Sequence, residues 1–328
     1  MMEYARLPGV RNKASLLLLG CATNDMMQGR DASFSVLDAA MDAGINALDT
    51  ARVYGESEAL LGRWMRARHN RDRLVLVSKG CHPLDISWEN PAGISRLNAA
   101  SLREDLEASF RLLDTDYIDV YLLHRDDPRQ DLLPVLEVLH EYVIRGKIGA
   151  IGGSNWTHAR IEEINALARR NGLTPFSVSS PNFSLAVQAK DCWHGGVNIS
   201  GPGNADARAW YAREGMPVIA YAGLGHGFFS GKVHSNDPHS QKCLDSFGQS
   251  GFCTPENLQR LARAEALSAE KRCTVPQLAL AWLLHQPFLT LPVVGTSRPQ
   301  GVIDSARALE IPLTDAECAW LNLESEER

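Results

Sequence analysis

Four residues that could together place a proton on a carbonyl oxygen stand at or just beyond the ends of apolar runs. Asp49 follows Ile45-Asn46-Ala47-Leu48, and Tyr54 comes shortly after it, beside Gly55. Lys79 ends the run that begins at Arg73, and His124 ends the run that begins at Tyr117. A phenol ordinarily titrates near a pKa of about 10, so a nearby cation helps it to serve as a proton donor around neutral pH. Lys79 can be that cation, and Asp49 the counter-charge that keeps it protonated. His124 can donate to a substrate carbonyl and orient it. Tyr54 then protonates the oxygen as hydride reaches the carbon. Taken singly, each has a plainer reading: a turn acid, a packed loop aromatic, a solvated charge and a structural His. The argument rests on the four occurring together.

The elements that would position them alternate regularly. Apolar runs at 16–20, 45–48, 73–79, 117–124, 147–151, 176–180, 217–221 and 289–294 predict eight strands. Helical spacing lies between them. Asp31 is expected to cap a helix carrying Phe34, Leu37, Ala40 and Met41. Further helices are expected at 58–68, from Ser101 through Leu113, at 134–144, from Thr157 through Leu167, at 205–214 and from Thr254 onward. Thr274 and Gln277 form a capping-box pattern before 278–284, and Ser297 and Gln300 repeat it before a last barrel helix ending at Leu309. Loops at 80–93 with Trp88, at 193–203 with Trp193, and at 223–251 complete the pattern.

Strand–helix alternation repeated eight times fits a single (β/α)8 TIM barrel spanning 1–328, with long loops at its C-terminal face. In such a barrel, strand ends and the loops after them face the active site, so all four residues share one mouth. A doubly wound sheet is the rival fold. Its G-x-G-x-x-G signature is missing, because Gly20 is followed by Cys21-Ala22-Thr23. No repeat of roughly 20–50 residues and no composition break divides the chain.

Composition excludes several function classes. The net charge of −6 and the lack of a basic block argue against nucleic-acid and anionic-membrane partners. No apolar run approaches the roughly 18 residues of a membrane span. Seven scattered Cys without a Cys-x-x-Cys pair suggest free thiols in a reducing, cytoplasmic setting, and the first strand is expected to place Cys21 at the barrel mouth rather than near a partner. No metal-ligand cluster is evident: Cys243 and Cys253 flank no paired His, and His234 and His239 sit in a polar loop.

Several segments in order resemble the aldo-keto reductase superfamily: LDTARVYG (48–55), VSKG (77–80), DVYLLH (119–124), GKIGAIGGSN (146–155), VIAYAGLGHGFFSGK (218–232), LALAWLLHQP (278–287) and PVVGTS (292–297). The resemblance covers nearly the whole chain. It implies a (β/α)8 barrel that transfers hydride between a nicotinamide cofactor, NADP in preference to NAD, and a small aldehyde, ketone or corresponding alcohol. A sugar-like substrate would suit the Trp-bearing loops. Carried over by position, Asp49, Tyr54, Lys79 and His124 form a catalytic tetrad. Ser154 and Asn155 would bind the nicotinamide carboxamide, together with Ser180, which replaces the usual Gln. Tyr221 would stack on the nicotinamide ring, and Leu224 and Gly225 would approach the pyrophosphate. Thr296, Ser297, Arg298 and Asp304 would lie at the adenosine 2′-phosphate end. Ala222, Gly301 and Ser305 depart from the family pattern. The alternative within the same barrel is a non-catalytic, cofactor-binding regulatory subunit. A metal-dependent barrel hydrolase or isomerase using Asp49 and His124 as ligands is a further rival. A homo-oligomer is compatible with either reading.

Overall fold

A computed structural model describes residues 2–87 and 89–328; Trp88, expected in a loop near the mouth, lies outside the described residues. Eight parallel strands close into a barrel, numbered here β1 (Leu18–Gly20), β2 (Ala47–Asp49), β3 (Val75–Gly80), β4 (Ile118–Leu123), β5 (Ile148–Ser154), β6 (Val178–Ser180), β7 (Val218–Ala220) and β8 (Thr290–Val294). Each pairs with its neighbour in sequence, and β8 pairs with β1, Val293 opposite Leu18. Helices wrap the outside, as the alternating pattern predicts, in the manner of a (β/α)8 barrel.

Side chains alternate along each strand, which divides the core in two. Leu18, Ala47, Val75, Val77, Val120, Leu122, Ala150, Val178, Ile219 and Leu291 fill the barrel interior as one buried cluster. The intervening residues, such as Leu19, Leu48, Leu76, Tyr121, Leu123 and Ile151, pack outward beneath the helices.

An N-terminal hairpin was not anticipated. Tyr4–Ala5 pairs antiparallel with Ala14–Ser15. Leu7, Val10 and Ala14 join the interior cluster and so close the barrel end opposite the strand C-termini. Burying Leu7 or Val10 contributes on the order of 1.5–3 kcal/mol. A C-terminal helix, Asp315–Leu321, was also missed; Thr314 and Glu317 form its capping box. The long loop at 223–251 contains a 3₁₀ turn, Pro238–Cys243, and a short helix, Ser246–Phe252.

Three local expectations need correction. Asp31 starts a 3₁₀ turn and bonds Arg63 rather than capping a helix, and the helix Phe34–Asp42 follows Ser33. The Thr274 capping box forms, whereas the Ser297 one does not: Arg298 occupies the cap position without a side-chain bond, and Gln300 turns to Asp304 at 2.9 Å. Cys21, expected at the mouth, is out of phase with the inner row and packs in the outer cluster.

Candidate active site

The alternation that fills the barrel also builds its mouth. Asp49 is in phase with interior Ala47, Lys79 with Val77, and His124 with Leu122, so all three continue the inner row past the apolar core. The same phase brings Ser154, Ser180 and Tyr221 inward from β5, β6 and the end of β7. Ladder hydrogen bonds continue beyond the strands and hold these ends: His124 N donates to Gly80 O at 2.8 Å, and Thr50 N to Val77 O at 2.8 Å.

Lys79 Nζ donates to Asp49 Oδ1 at 2.7 Å and to Thr50 O at 2.9 Å, and both members of this ion pair are buried. The same Nζ lies 5.0 Å from the centre of the Tyr54 ring. The Tyr54 and His124 rings meet edge to face at 5.8 Å. These four residues line one cavity of about 540 Å³ with His82, Arg125, Ser154, Asn155, Trp193 and Tyr221.

Burial decides the protonation states. It would depress the Lys79 ammonium, but the Asp49 carboxylate and the Tyr54 hydroxyl outweigh it and hold Lys79 above its ordinary value. For Tyr54, burial raises the phenol pKa, and the Lys79 charge opposes without overcoming it. The lowering expected from Lys79 is therefore outweighed here, and the phenol keeps its proton. His124 is driven well below its ordinary value by burial first, then by Lys79, His82 and Arg125. It stands neutral; its Nδ1 is buried without a partner, leaving Nε2 as the ring nitrogen able to reach a ligand.

A family model described as "Aldo/keto reductase family" matches residues 17–322. The chain belongs to the Aldo/keto reductase family. This aldo-keto reductase is similar to the uncharacterized oxidoreductase YrpG of Bacillus subtilis, 26% identical over 98% of this chain and 95% of that one. It is 28% identical to norsolorinic acid reductase of Aspergillus flavus, over 87% of this chain and 69% of that one. A putative voltage-gated potassium channel subunit beta of Schizosaccharomyces pombe is 27% identical over 84% of this chain and 78% of that one. Family membership makes the chain an oxidoreductase.

Members of this family use nicotinamide cofactors, and the structure offers a seat of suitable shape. A second groove of about 760 Å³ adjoins the first at Gly295 and is lined by Leu224, Thr296, Arg298, Gly301, Asp304 and Ser305. Two linked cavities suit a long, two-headed ligand. Ser180 Oγ is buried without a partner. Asn155, by contrast, is already satisfied. Its Oδ1 accepts from Tyr221 Oη at 2.6 Å and Val197 N at 3.2 Å, and its Nδ2 donates to His124 O and Ser154 Oγ, each at 3.2 Å. A carboxamide would have to exchange for these bonds. Ser180, Gly225 and Ser297 line neither cavity. Gly301 has a packing reason: a Cβ there would lie 2.4 Å from Thr296 Oγ1. Three contributors went unread in the sequence. His82 stacks edge-on to His124 at 4.8 Å, Thr50 supplies its carbonyl to Lys79, and Arg125 enters the cavity directly after His124.

Proposed function

We propose that this aldo-keto reductase is an NAD(P)-dependent carbonyl reductase, a single domain over 1–328, acting on small aldehydes or ketones or the corresponding alcohols. One observation carries the reading: the buried Lys79–Asp49 pair at 2.7 Å, set at the barrel axis beside Tyr54 and neutral His124 in one cavity. When bound, a nicotinamide cofactor supplies or accepts the hydride. This chain's residues do the rest. Neutral His124 donates from Nε2 to the substrate oxygen and fixes its position. Tyr54 gives its hydroxyl proton to that oxygen, and the developing phenolate is stabilised by Lys79, which Asp49 keeps charged. Ser154, Asn155, Ser180 and Tyr221 would hold the nicotinamide end. Leu224, Gly225, Thr296, Ser297, Arg298 and Asp304 would flank the rest of the dinucleotide, NADP in preference to NAD. The absence of any helix long and apolar enough to cross a membrane among the described residues is in keeping with a cytoplasmic enzyme.

Purified protein assayed with NADPH and NADH against a panel of aldehydes, ketones and sugars, by loss of reduced-cofactor absorbance, tests this reading. Turnover that Tyr54→Phe abolishes is the expected result. Tight cofactor binding without turnover of any carbonyl would instead favour the regulatory-subunit reading that the channel-subunit relative suggests.

A further inference from the structure

Arg125 lines the cavity immediately after His124, and its guanidinium is underused. Its Nη2 donates to Trp193 O at 2.7 Å. Nε and Nη1 are shielded from solvent and have no acceptor. An arginine carries five N–H donors and no acceptor, and its charge persists at any working pH. Leaving such donors unmet in a protein interior is unfavourable, so the guanidinium gains by turning them toward an acceptor that enters the cavity.

The surrounding acids do not neutralise this charge. Asp49 is taken by Lys79 at 2.7 Å, Asp126 by Arg160 at 2.8 Å, Asp127 by Arg129 at 2.8 Å, and Asp245 lies against His226 at 3.0 Å. The Asp191 carboxylate accepts backbone N–H groups of Trp193 and Gly195. Among the described residues Arg125 has no ion-pair partner. With Lys79 paired to Asp49, Arg125 is the cavity cation without an ion-pair partner, and its field reaches Tyr54, His82, His124 and Tyr221, where the Asp191 charge opposes it. Trp193 is held rigidly beside it: Asp191 pins its backbone, and its ring packs edge-on to Tyr221 at 5.4 Å and to His226 at 5.5 Å. The cavity therefore offers a flat aromatic wall and a cation next to the residue that would receive the carbonyl.

We propose that Arg125 selects carbonyl substrates carrying a carboxylate a few bonds from the reacting carbon, such as 2-oxo acids and aldehyde acids, by taking that carboxylate on its free guanidinium donors. This inference rests on the carbonyl-reductase reading and refines its substrate class. Matched pairs test it: phenylglyoxylate against phenylglyoxamide, and 3-carboxybenzaldehyde against 3-carbamoylbenzaldehyde, each with saturating reduced cofactor. The parent should favour the acid of each pair in kcat/KM by about tenfold or more, the scale of a charge-assisted hydrogen bond, mostly through KM. Arg125→Gln should bring the ratio close to one, and Arg125→Lys should restore part of it. A parent ratio near or below one, or a ratio unchanged in Arg125→Gln, overturns the proposal. Calorimetric binding of 3-carboxybenzaldehyde and its carboxamide to parent and Arg125→Gln separates the two readings. If no carbonyl turns over while acid-selective, Arg125-dependent binding persists, the reductase reading fails and the anion site stands; if binding shows no such selectivity, the anion site fails.

Discussion

Tyr221 donates its hydroxyl to Asn155 Oδ1 at 2.6 Å, so the two residues assigned to opposite aspects of nicotinamide binding are engaged with each other. Asn155 adopts a left-handed backbone, φ 60°, a conformation that Asn tolerates better than most side chains. That turn sends its amide across the mouth toward β7. A ligand that uses Asn155 must compete with Tyr221. Tyr221→Phe removes the competitor and keeps the ring, and one neutral hydrogen bond is worth about 0.5–1.5 kcal/mol net. Reduced cofactor should then bind about two- to tenfold more tightly by fluorescence titration. Weaker binding would show that the hydroxyl serves the bound state instead.

Tyr54→Phe keeps the ring against His124 and removes the proton that Tyr54 can give. Carbonyl reduction should fall by roughly 10²- to 10⁴-fold, the usual loss on removing a general acid, or more. Cofactor affinity should hold, since the proposed cofactor contacts come from β5 through β8 and the segments after them. Near-parent rates in this variant, with cofactor still bound, would place the proton donor elsewhere.

Lys79→Met strands the Asp49 carboxylate in a buried site. Breaking a buried pair from one side costs about 3–5 kcal/mol, and removing both charges costs much less. Denaturant unfolding at neutral pH should show Lys79→Met as strongly destabilised and Asp49→Asn/Lys79→Met as substantially recovered. Both should lose carbonyl reduction. Equal stability of the single and double variants would mean that the pair is not coupled as its geometry indicates.

His124 should leave a signature in stability against pH. Its folded-state pKa lies below the ordinary value of about 6.5 because it is buried. Between those two pKa values the unfolded chain binds the extra proton and the native protein does not, so stability rises with pH there. From this residue, stability is fully present above about pH 6.5 and is lost as pH falls, by at most about 1.4 kcal/mol per pH unit, until the folded pKa is reached. His124→Gln should flatten that limb of a stability–pH profile measured by thermal or chemical unfolding. An unchanged slope would assign the acid sensitivity to other groups.

Cofactor choice turns on Arg298. It is exposed at the cap of the eight-residue helix Pro299–Ala306, where backbone amides and a positive charge can meet a phosphate. Two features limit the effect. Gly301 packs too closely on Thr296 to be replaced by a second clamp without a shift, and the Asp304 carboxyl lines the same groove. NADP should bind more tightly than NAD by a modest factor. Arg298→Ala should weaken NADP binding and leave NAD nearly unchanged. Tighter NAD binding by the parent protein would reverse the assignment.

The barrel and the gathering of Asp49, Lys79 and His124 at its mouth were legible because one rule serves both. Period-two alternation marks the interior residues, and extending it by one step past the core reaches Asp49, Lys79 and His124. Where signals were short or depended on distant partners, the sequence was less informative. Two-residue strands such as Tyr4–Ala5 carry no periodicity to detect. The Ser297–Gln300 spacing satisfies a capping box on paper, but Gln300 finds Asp304 instead. Cys21 lies one residue from the inward phase, which is enough to turn it away from the mouth. Arg125 reads as an ordinary loop charge until the surrounding acids are seen bonded to other partners. Whether Lys79 or desolvation dominates at Tyr54 depends on how deeply the hydroxyl sits, which residue spacing does not reveal.

The β8–β1 seam joins Val293 to Leu18, and its two strands are the most widely separated in the chain of all neighbours in the barrel. Closing so long a loop costs more entropy than pairing adjacent strands, so this junction is expected to form late in folding. The mouth residues Gly20, Ala22, Val293 and Gly295 lie on that junction, where the two cavities meet. A dinucleotide laid across it would act as a clasp on this junction, slowing amide exchange at Leu18–Gly20 and Thr290–Val294 more than at β4 and β5.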